Sequence, residues 1–539
     1  MLFRSLELPE TSLCYNLEVS ARRYPQRPAT LYYGGTLSYA ALKAEVDALA
    51  GYLQQHCGVR RGDRVALYMQ NSPQFVIALH AILRADAMVV PVNTMNLHQE
   101  VAHIVRDSGS KVAIFGQELA GNIAPLLGGN LDHGLVATYS DYIDAGTDLP
   151  LPDIVSAAAI PIAGATAWRV AIDQALRPAP ALAGADDLAV MPYTSGTTGA
   201  PKGCIHTHRS VMHTTIAGPE WCFVPKDCMV LAALPMFHVT GMQNGLTSPI
   251  YGGASIAIMT RWDKRCAAML IERFRVTTWT AIPTMLFDFL NQPDLDERDL
   301  SSLYCLTGGG AAMPKAIAAR IHALWGIHYI EGYGLSETMA PTHVNPPHRP
   351  KAQCLGLPIF DVHALIVDIE TLQPVGVGEV GEILVDGPQV FRGYHEDAER
   401  TAAAFVEIDG RRYFRTGDLG YVDDEGYFFM VDRLKRMINA SGYKVWPAEV
   451  EAYLYAHPAV LEACVIAYRD QHRGESVKVL VVRRPGQEVD EAGLIAWARD
   501  QMAAYKVPHA IEFVDSLPKN AAGKVLWRVL QEKELAVSA

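Results

Sequence analysis

The chain has 539 residues, 50% of them hydrophobic and 19% charged. That supplies apolar surface for several cores, predicts three or four compact units at roughly 150 residues per domain, and excludes extensive disorder. A formal net charge of -12 repels a phosphate backbone, which excludes nucleic acid as a natural partner and leaves any anionic ligand to be met by local groups.

The opening MLFRSLELPETSL has no apolar run of signal-peptide length, no stretch of about 18 apolar residues reads as a membrane span, and the ending AVSA is not a peroxisomal signal. Nine cysteines, scattered and never spaced CxxC, suggest neither a disulfide framework nor a zinc site. The expectation is a reduced, cytoplasmic protein without an integral membrane segment.

Along the chain, apolar runs at 64–69, 88–92 and 111–115 alternate with helical patterns at 73–83 and 98–107, a βαβαβ rhythm that predicts a parallel sheet covered by helices. The stretch 149–187, rich in Ala and Pro, reads as a surface excursion or linker. Strands predicted at 229–234, 255–259, 277–281, 303–307 and 328–331, with helices at 264–274 and 314–324, imply a second α/β unit. From 364 to 429, short strands broken by glycine and acidic turns suggest a small, largely antiparallel unit. Beyond it, helices at 447–456 and 491–502 with strands at 463–468, 478–482 and 511–514 form a compact α+β tail.

Four segments carry chemistry. In YTSGTTGAPKG, Tyr193 to Gly203, glycines allow backbone N–H groups to approach a phosphate, hydroxyls donate further hydrogen bonds, and Lys202 adds positive charge. It is not a Walker A loop, because alignment on Gly196 puts Pro201 at the second glycine and Gly203 at the Ser/Thr. In GYGLSET, Gly332 to Thr338, a carboxylate beside a triphosphate makes sense when a divalent cation lies between them, so Glu337 is a candidate magnesium ligand. YFRTGD ends in Asp418, an acceptor suited to two ribose hydroxyls. LPKNAAGKV places Lys524 directly after a glycine near the C-terminus. Taken singly, GGG at 308–310 can be an ordinary strand-to-helix turn, TGD is more often a turn than a site, and the basic run at 433–436 reads equally as a solvated turn.

Together, and in this order, these segments resemble the motifs of the acyl-adenylate-forming superfamily, which includes acyl-CoA synthetases, luciferases and the adenylation domains of peptide synthetases. The resemblance extends from about Leu37 to Lys524. It implies an α/β fold: a large N-terminal AMP-binding domain, residues 1–432, of two doubly wound α/β subdomains plus a small β-rich subdomain, and a small mobile α+β C-terminal domain, residues 433–539. It implies that Thr194, Ser195, Gly196, Thr197, Thr198, Gly199 and Lys202 cradle phosphates of ATP. It assigns Thr338 to the α-phosphate and Gly309, Gly310, Ala311 and Tyr333 to the adenine pocket. Asp418 and Arg433 would contact the ribose and phosphate, Lys435 would mark the interdomain hinge, and Lys524 would be the mobile catalytic lysine. Ala522 replaces the family's usual Ser/Thr two residues before it.

Between Cys228 and Thr260 runs a long stretch without formal charge, which reads as core, a membrane dip, or the wall of an apolar cavity; Pro235 and Pro249 exclude a single spanning helix. By resemblance, His238 in PMFH stands beside the acyl carboxylate, and Trp279, Thr280, Met285, Gly308 and Met339 are further pocket candidates. Amino-acid-activating relatives carry an aspartate where His238 stands, so a plain carboxylic acid with an apolar body is expected, a medium- or long-chain fatty acid first and an aryl acid second. Gly442 matches the small residue that lets a pantetheine arm pass, which with the absence of a carrier domain favours coenzyme A as acceptor over a carrier protein. Expected participants are therefore the acid, ATP, Mg2+ and CoA, with homodimer formation left open. A nucleotide-binding sensor is the non-enzymatic alternative.

Overall fold

The structure is a computed structural model that describes residues 5–194, 201–440, 443–470, 474–519 and 525–537. The chain forms two compact units, 1–363 with 385–414, and 364–384 with 415–539. The sequence boundary between 432 and 433 falls inside the second.

Two large sheets organise the first unit. In one, Arg64–Tyr68 lies between Met88–Pro91 and Val112–Gly116, all parallel, and His133–Ala137 and Ala165–Ala167 continue the parallel side. The opposite side is antiparallel: Lys202–Thr207 pairs with Leu188–Val190 and with Gly393–Tyr394. The other sheet has a parallel centre of Ser255–Ile258, Met229–Ala232, Thr278–Thr280, Cys305–Gly309 and Tyr329–Leu335. Both of its edges turn antiparallel, at Ala340–Val344 with Leu357–Pro358 and at the hairpin Pro28–Tyr32/Gly35–Ser38. The expected α/β rhythm is present, but the sheets are mixed rather than purely parallel. The N-terminal hairpin also crosses to the second sheet, with Thr30 opposite Ile256.

Local chemistry fixes the helices. Pro73–Arg84 starts on Ser72, whose hydroxyl accepts from Phe75 N, with Pro73 in the first turn; Lys264–Phe274 starts on Asp263, which accepts from Cys266 N. His98–Ser108 has Glu100 accepting from Leu97 N at 2.9 Å and ends on Gly109 at φ 63°, the left-handed conformation that glycine tolerates without strain.

The stretch 149–187 is more than a surface excursion. Ala165–Ala167 is a strand of the first sheet, and Trp168, 1% exposed, buries its ring in the core with Nε1 donating to Tyr142 Oη at 2.9 Å. Asp86 accepts from Leu182 N and Ala183 N, each at 2.9 Å. Its many prolines and alanines disguise a segment that is docked at three points.

In the second unit, Phe428–Arg433 pairs antiparallel with residues 418–422. Val460–Asp470 and Gly474–Arg483 form a long antiparallel pair, joined in parallel by Ala510–Phe513. Pro447–Leu454 and Glu491–Gln501 close a core that includes Val450, Leu454, Val465, Val479 and Leu494. A final helix, Trp527–Val537, was not anticipated by the sequence pattern. Among the described residues no helix is long and apolar enough to cross a membrane.

Replacing Trp168 with Ala removes a large buried ring and orphans the Tyr142 contact, so it should destabilise the first unit by about 3–5 kcal/mol, read as a lower denaturation midpoint. An unchanged midpoint would return this segment to the status of a linker.

Candidate active site

The phosphate-loop motif is closed by a short antiparallel ladder, with Thr194 opposite Lys202 and Tyr193 opposite Gly203. Both ends of the loop are tied to one helix. His103 and Asp107, one turn apart on His98–Ser108, bond to it: His103 Nε2 meets Pro201 O at 3.0 Å, and Tyr193 Oη donates to Asp107 Oδ2 at 2.6 Å. Ser195, Gly196, Thr197, Thr198 and Gly199 lie outside the described residues.

The ladder aims Lys202 at the second motif. Its ammonium lies 5.0 Å from the centroid of the Tyr394 ring, and Tyr394 Oη donates to Glu337 Oε1 at 3.0 Å. Burial and the Arg400 guanidinium pull Lys202 below the ordinary lysine value, against Asp397 and Glu337. Glu337 is 9% exposed, and its carbonyl accepts from Phe391 N at 2.8 Å. His206, on the strand that leaves the phosphate loop, is bonded through Nε2 to Ser336 O at 2.7 Å; burial holds its pKa down to about 4. Lys202, Glu337 and Thr338 are thus brought together by residues that no motif marked: Tyr394, Phe391 and His206.

Thr338 is fully buried. Its hydroxyl accepts from Leu335 N at 2.9 Å and donates to Ala340 O at 3.0 Å. Met339 and Ala340 follow at φ 49° and 70°, so two successive non-glycine residues hold left-handed backbone, a costly arrangement that clusters at functional sites.

The segments expected at the adenine are neighbours. Gly308 pairs with Glu331 and Gly309 with Gly332 across adjacent parallel strands, and the Tyr333 and His343 rings lie 5.8 Å apart. The glycines are required: a Cβ on Gly308 would stand 2.0 Å from Ala281 O, and one on Gly309 2.2 Å from Gly332 O. Gly310 turns at φ 81°, after which the exposed Ala311 leads to Met313. Glu331, which carries no motif signature, accepts from Met313 N at 3.1 Å and Gln353 N at 2.7 Å, stapling the loop that follows the glycines.

His238 caps the short helix Val239–Met242, with Nδ1 accepting from Thr240 N at 3.4 Å. It is solvent-accessible yet surrounded by protein, as a cleft wall is, and that surrounding lowers its pKa. Asn71 positions the preceding residues, accepting from Met236 N at 2.7 Å and donating to Leu234 O at 2.8 Å.

Behind these strands lies a cavity of about 80 Å³ that opens to solvent. Its apolar walls include Ile216, Pro219, Val230, Ala254 and Trp279. Asn244, Ser248, Pro249, Tyr251 and Gly252 also line it, so part of the uncharged stretch is cavity wall, while Leu231, Ala232, Ile256, Ala257 and Ile258 are core. Trp279 stacks on Trp262 with centroids 5.6 Å apart. Thr280 and Thr307, whose hydroxyls are 2.8 Å apart, also line the cavity, and Gly308 is the next residue. Of the other pocket candidates, Met285 and Met339 are buried but do not line this cavity.

In the second unit, the Asp418 side chain is 1% exposed and pairs with Arg433 Nε at 3.1 Å across the antiparallel strands. Its loop is set by Glu382, which holds Arg415 Nη2 at 2.6 Å and accepts from Gly417 N at 3.1 Å. Lys435 belongs to the turn Leu434–Arg436. Gly442 and Lys524 lie outside the described residues.

Residues 17–395 match the AMP-binding enzyme family, and residues 449–524 its C-terminal domain. A long-chain-fatty-acid–CoA ligase of Bacillus subtilis is 34% identical over 546 residues, covering 98% of this chain and 96% of that protein. A feruloyl-CoA synthase of an Amycolatopsis species is 34% identical over 508 residues, covering 94% and 96%. Among solved structures, ATP-bound MatB from Rhodopseudomonas palustris is similar with a TM-score of 0.85 at 27% identity, covering 98% of this chain and 100% of that one. With motifs, fold and nearly the whole length in agreement, the chain belongs to the AMP-binding enzyme family, as an acyl-CoA synthetase, an AMP-forming acid–CoA ligase.

Proposed function

We propose that the acid is a medium- or long-chain fatty acid, held with its hydrocarbon body in the cavity behind strands 278–280 and 305–309. The observation that carries this reading is the cavity itself. Its walls are largely apolar, and its lining reaches Thr280 and Thr307, beside Gly308. The Phe237–His238 pair supplies no carboxylate to hold a substrate ammonium, which argues against an amino acid.

The reaction runs in two steps. The substrate carboxylate attacks the α-phosphorus of ATP, the bond to pyrophosphate breaks, and acyl-AMP forms; the CoA thiol then loses its proton, attacks the acyl carbon and releases AMP. Lys202 and the loop's hydroxyl and amide groups hold the phosphates. Thr338 can contact the α-phosphate if its hydroxyl turns away from Ala340 O. His238 lies beside the reacting carboxylate. Tyr333 and Gly309 to Ala311 border the adenine, and Asp418 with Arg433 serves the ribose and phosphate.

Glu337 fits a magnesium ligand. It offers a hard carboxylate near Lys202, and among the described residues no cluster of three His, Cys, Asp or Glu side chains could cage a metal, so an ion here would draw its other ligands from water and phosphate, as Mg2+ prefers. Bound there, Mg2+ would neutralise phosphate charge.

Lys524 stabilises charge developing between the carboxylate and the α-phosphate, whereas Gly442 admits the pantetheine arm. One small domain, 433–539, thus serves both steps and presents each residue in turn by moving about Lys435. An aryl acid is the second reading, favoured by the Trp262–Trp279 stack at the cavity wall and by the similarity to a feruloyl-CoA synthase.

A pyrophosphate-release screen over fatty and aryl acids, with and without CoA, tests the substrate. The expected result is fatty-acid-dependent release with formation of the CoA ester. Preference for aryl acids selects the second reading, release without a CoA ester points to a carrier-protein acceptor, and no release with any acid favours a sensor. For the division of labour, Lys524→Ala should abolish acyl-AMP formation from acid and ATP while leaving thioester formation from supplied acyl-AMP intact. Equal loss of both half-reactions would contradict it.

A further inference from the structure

Tyr394 touches both charged groups of the candidate site. Its ring centroid lies 5.0 Å from the Lys202 ammonium, and its hydroxyl donates to Glu337 Oε1 at 3.0 Å. The short strand Gly393–Tyr394 pairs antiparallel with the strand that leaves the phosphate loop, and Tyr394 stands opposite Cys204. Backbone bonds flank it on both sides: Arg392 N donates to Ile205 O and His395 N to Gly203 O, each at 2.9 Å. Tyr394 N donates to Thr401 Oγ1 at 2.9 Å, and the Phe391 ring meets the Tyr394 ring edge to face with centroids 4.9 Å apart. Both the backbone and the ring of Tyr394 are thus fixed by the protein itself.

Packing asks only for the ring. A phenylalanine at 394 would fill the same space and face Lys202 equally well, but it would take this donor from Glu337, a residue 9% exposed. The same segment grips Glu337 twice, because Phe391 N donates to its carbonyl at 2.8 Å while Tyr394 Oη donates to its carboxylate. An ionised carboxylate only accepts, so the phenol is the donor and the bond sets how the carboxylate is turned. Mg2+ demands near-octahedral geometry and takes few protein ligands, so a lone carboxylate serves it best when already oriented. Hydrogen bonds from neighbouring groups supply that orientation.

We propose that Tyr394 is a positioning residue for adenylate formation: its hydroxyl holds Glu337 by one oxygen so that the carboxylate meets Mg2+ in a single orientation, and its ring directs Lys202 toward the phosphates. The hydroxyl acts on the metal through Glu337, and the ring acts on the nucleotide through Lys202. The two effects therefore separate into a metal-dependent and a metal-independent part of ATP binding. The proposal rests on the reading of Glu337 as a magnesium ligand.

The experiment measures binding of the α,β-methylene analogue of ATP to the full-length protein by calorimetry, once in EDTA and once in saturating Mg2+. Tyr394→Phe should match wild type in EDTA and lose about tenfold or more of the tightening that Mg2+ confers. In acyl-AMP formation it should need at least about tenfold more Mg2+ for half its maximal rate, and excess Mg2+ should restore that rate. Tyr394→Leu, which also removes the ring, should bind about threefold more weakly already in EDTA. Full Mg2+ tightening in Glu337→Gln overturns the magnesium reading and this proposal with it. Lost tightening in Glu337→Gln beside wild-type tightening in Tyr394→Phe leaves the magnesium reading standing and overturns the positioning role. Equal weakening of Tyr394→Phe in EDTA and in Mg2+ marks general damage and overturns that role too, and wild-type binding by Tyr394→Leu in EDTA overturns the part assigned to the ring.

Discussion

The pairing of Thr194 with Lys202 and of Tyr193 with Gly203 is a small interaction on which the rest of the site depends. It closes a loop rich in glycine and hydroxyl groups, and it makes Lys202 the first residue of a strand, with a direction set by the sheet instead of by a loose turn. That direction brings its ammonium to the face of Tyr394, whose hydroxyl holds Glu337. The same strand carries His206 to the carbonyl of Ser336. A protein with net charge -12 that must accept a triphosphate cannot rely on a general field. It concentrates one lysine and one buried carboxylate, and aligns them through a single ladder.

Buried carboxylates recur as fasteners in both units. Glu331, 8% exposed, accepts from two backbone N–H groups and fixes the turn after Gly308 to Gly310. Glu382, with a side chain 1% exposed, plays the same part for the turn that leads to Asp418. A buried carboxylate is tolerable when hydrogen bonds satisfy it, and here each such group shapes the backbone beside a sequence motif. The tight glycine contacts at 308 and 309 serve the same end, since a side chain at either position would strike neighbouring backbone.

The sequence displayed what is local. Glycine spacing, the carboxylate of GYGLSET and the βαβ rhythm are all written in consecutive residues, and the resemblance drawn from them covers the family that the fold and the comparisons support. What it hid is nonlocal. Tyr394 is 57 residues from Glu337 and His206 is 130 residues from Ser336, so no window of sequence contains either pair. His103 and Asp107 look like an ordinary amphipathic helix until the sheet brings the phosphate loop to it. The stretch 149–187 misled because Pro and Ala mark flexibility by composition, whereas Trp168 and the hydrogen bonds of Asp86 fix it in place. The first sheet's antiparallel edge went unforeseen for a related reason, since strands as short as Gly393–Tyr394 leave no periodic trace.

The central claim is that the protein transfers an adenylyl group to a carboxylate, so that one oxygen of the acid becomes part of AMP when the thioester forms. Turnover of an acid labelled with ¹⁸O in its carboxyl group, with ATP and CoA, followed by mass spectrometry of the products, tests this directly. The account predicts AMP carrying one ¹⁸O and unlabelled pyrophosphate. Unlabelled AMP, with the heavy oxygen retained in the acid or found in phosphate, would contradict it.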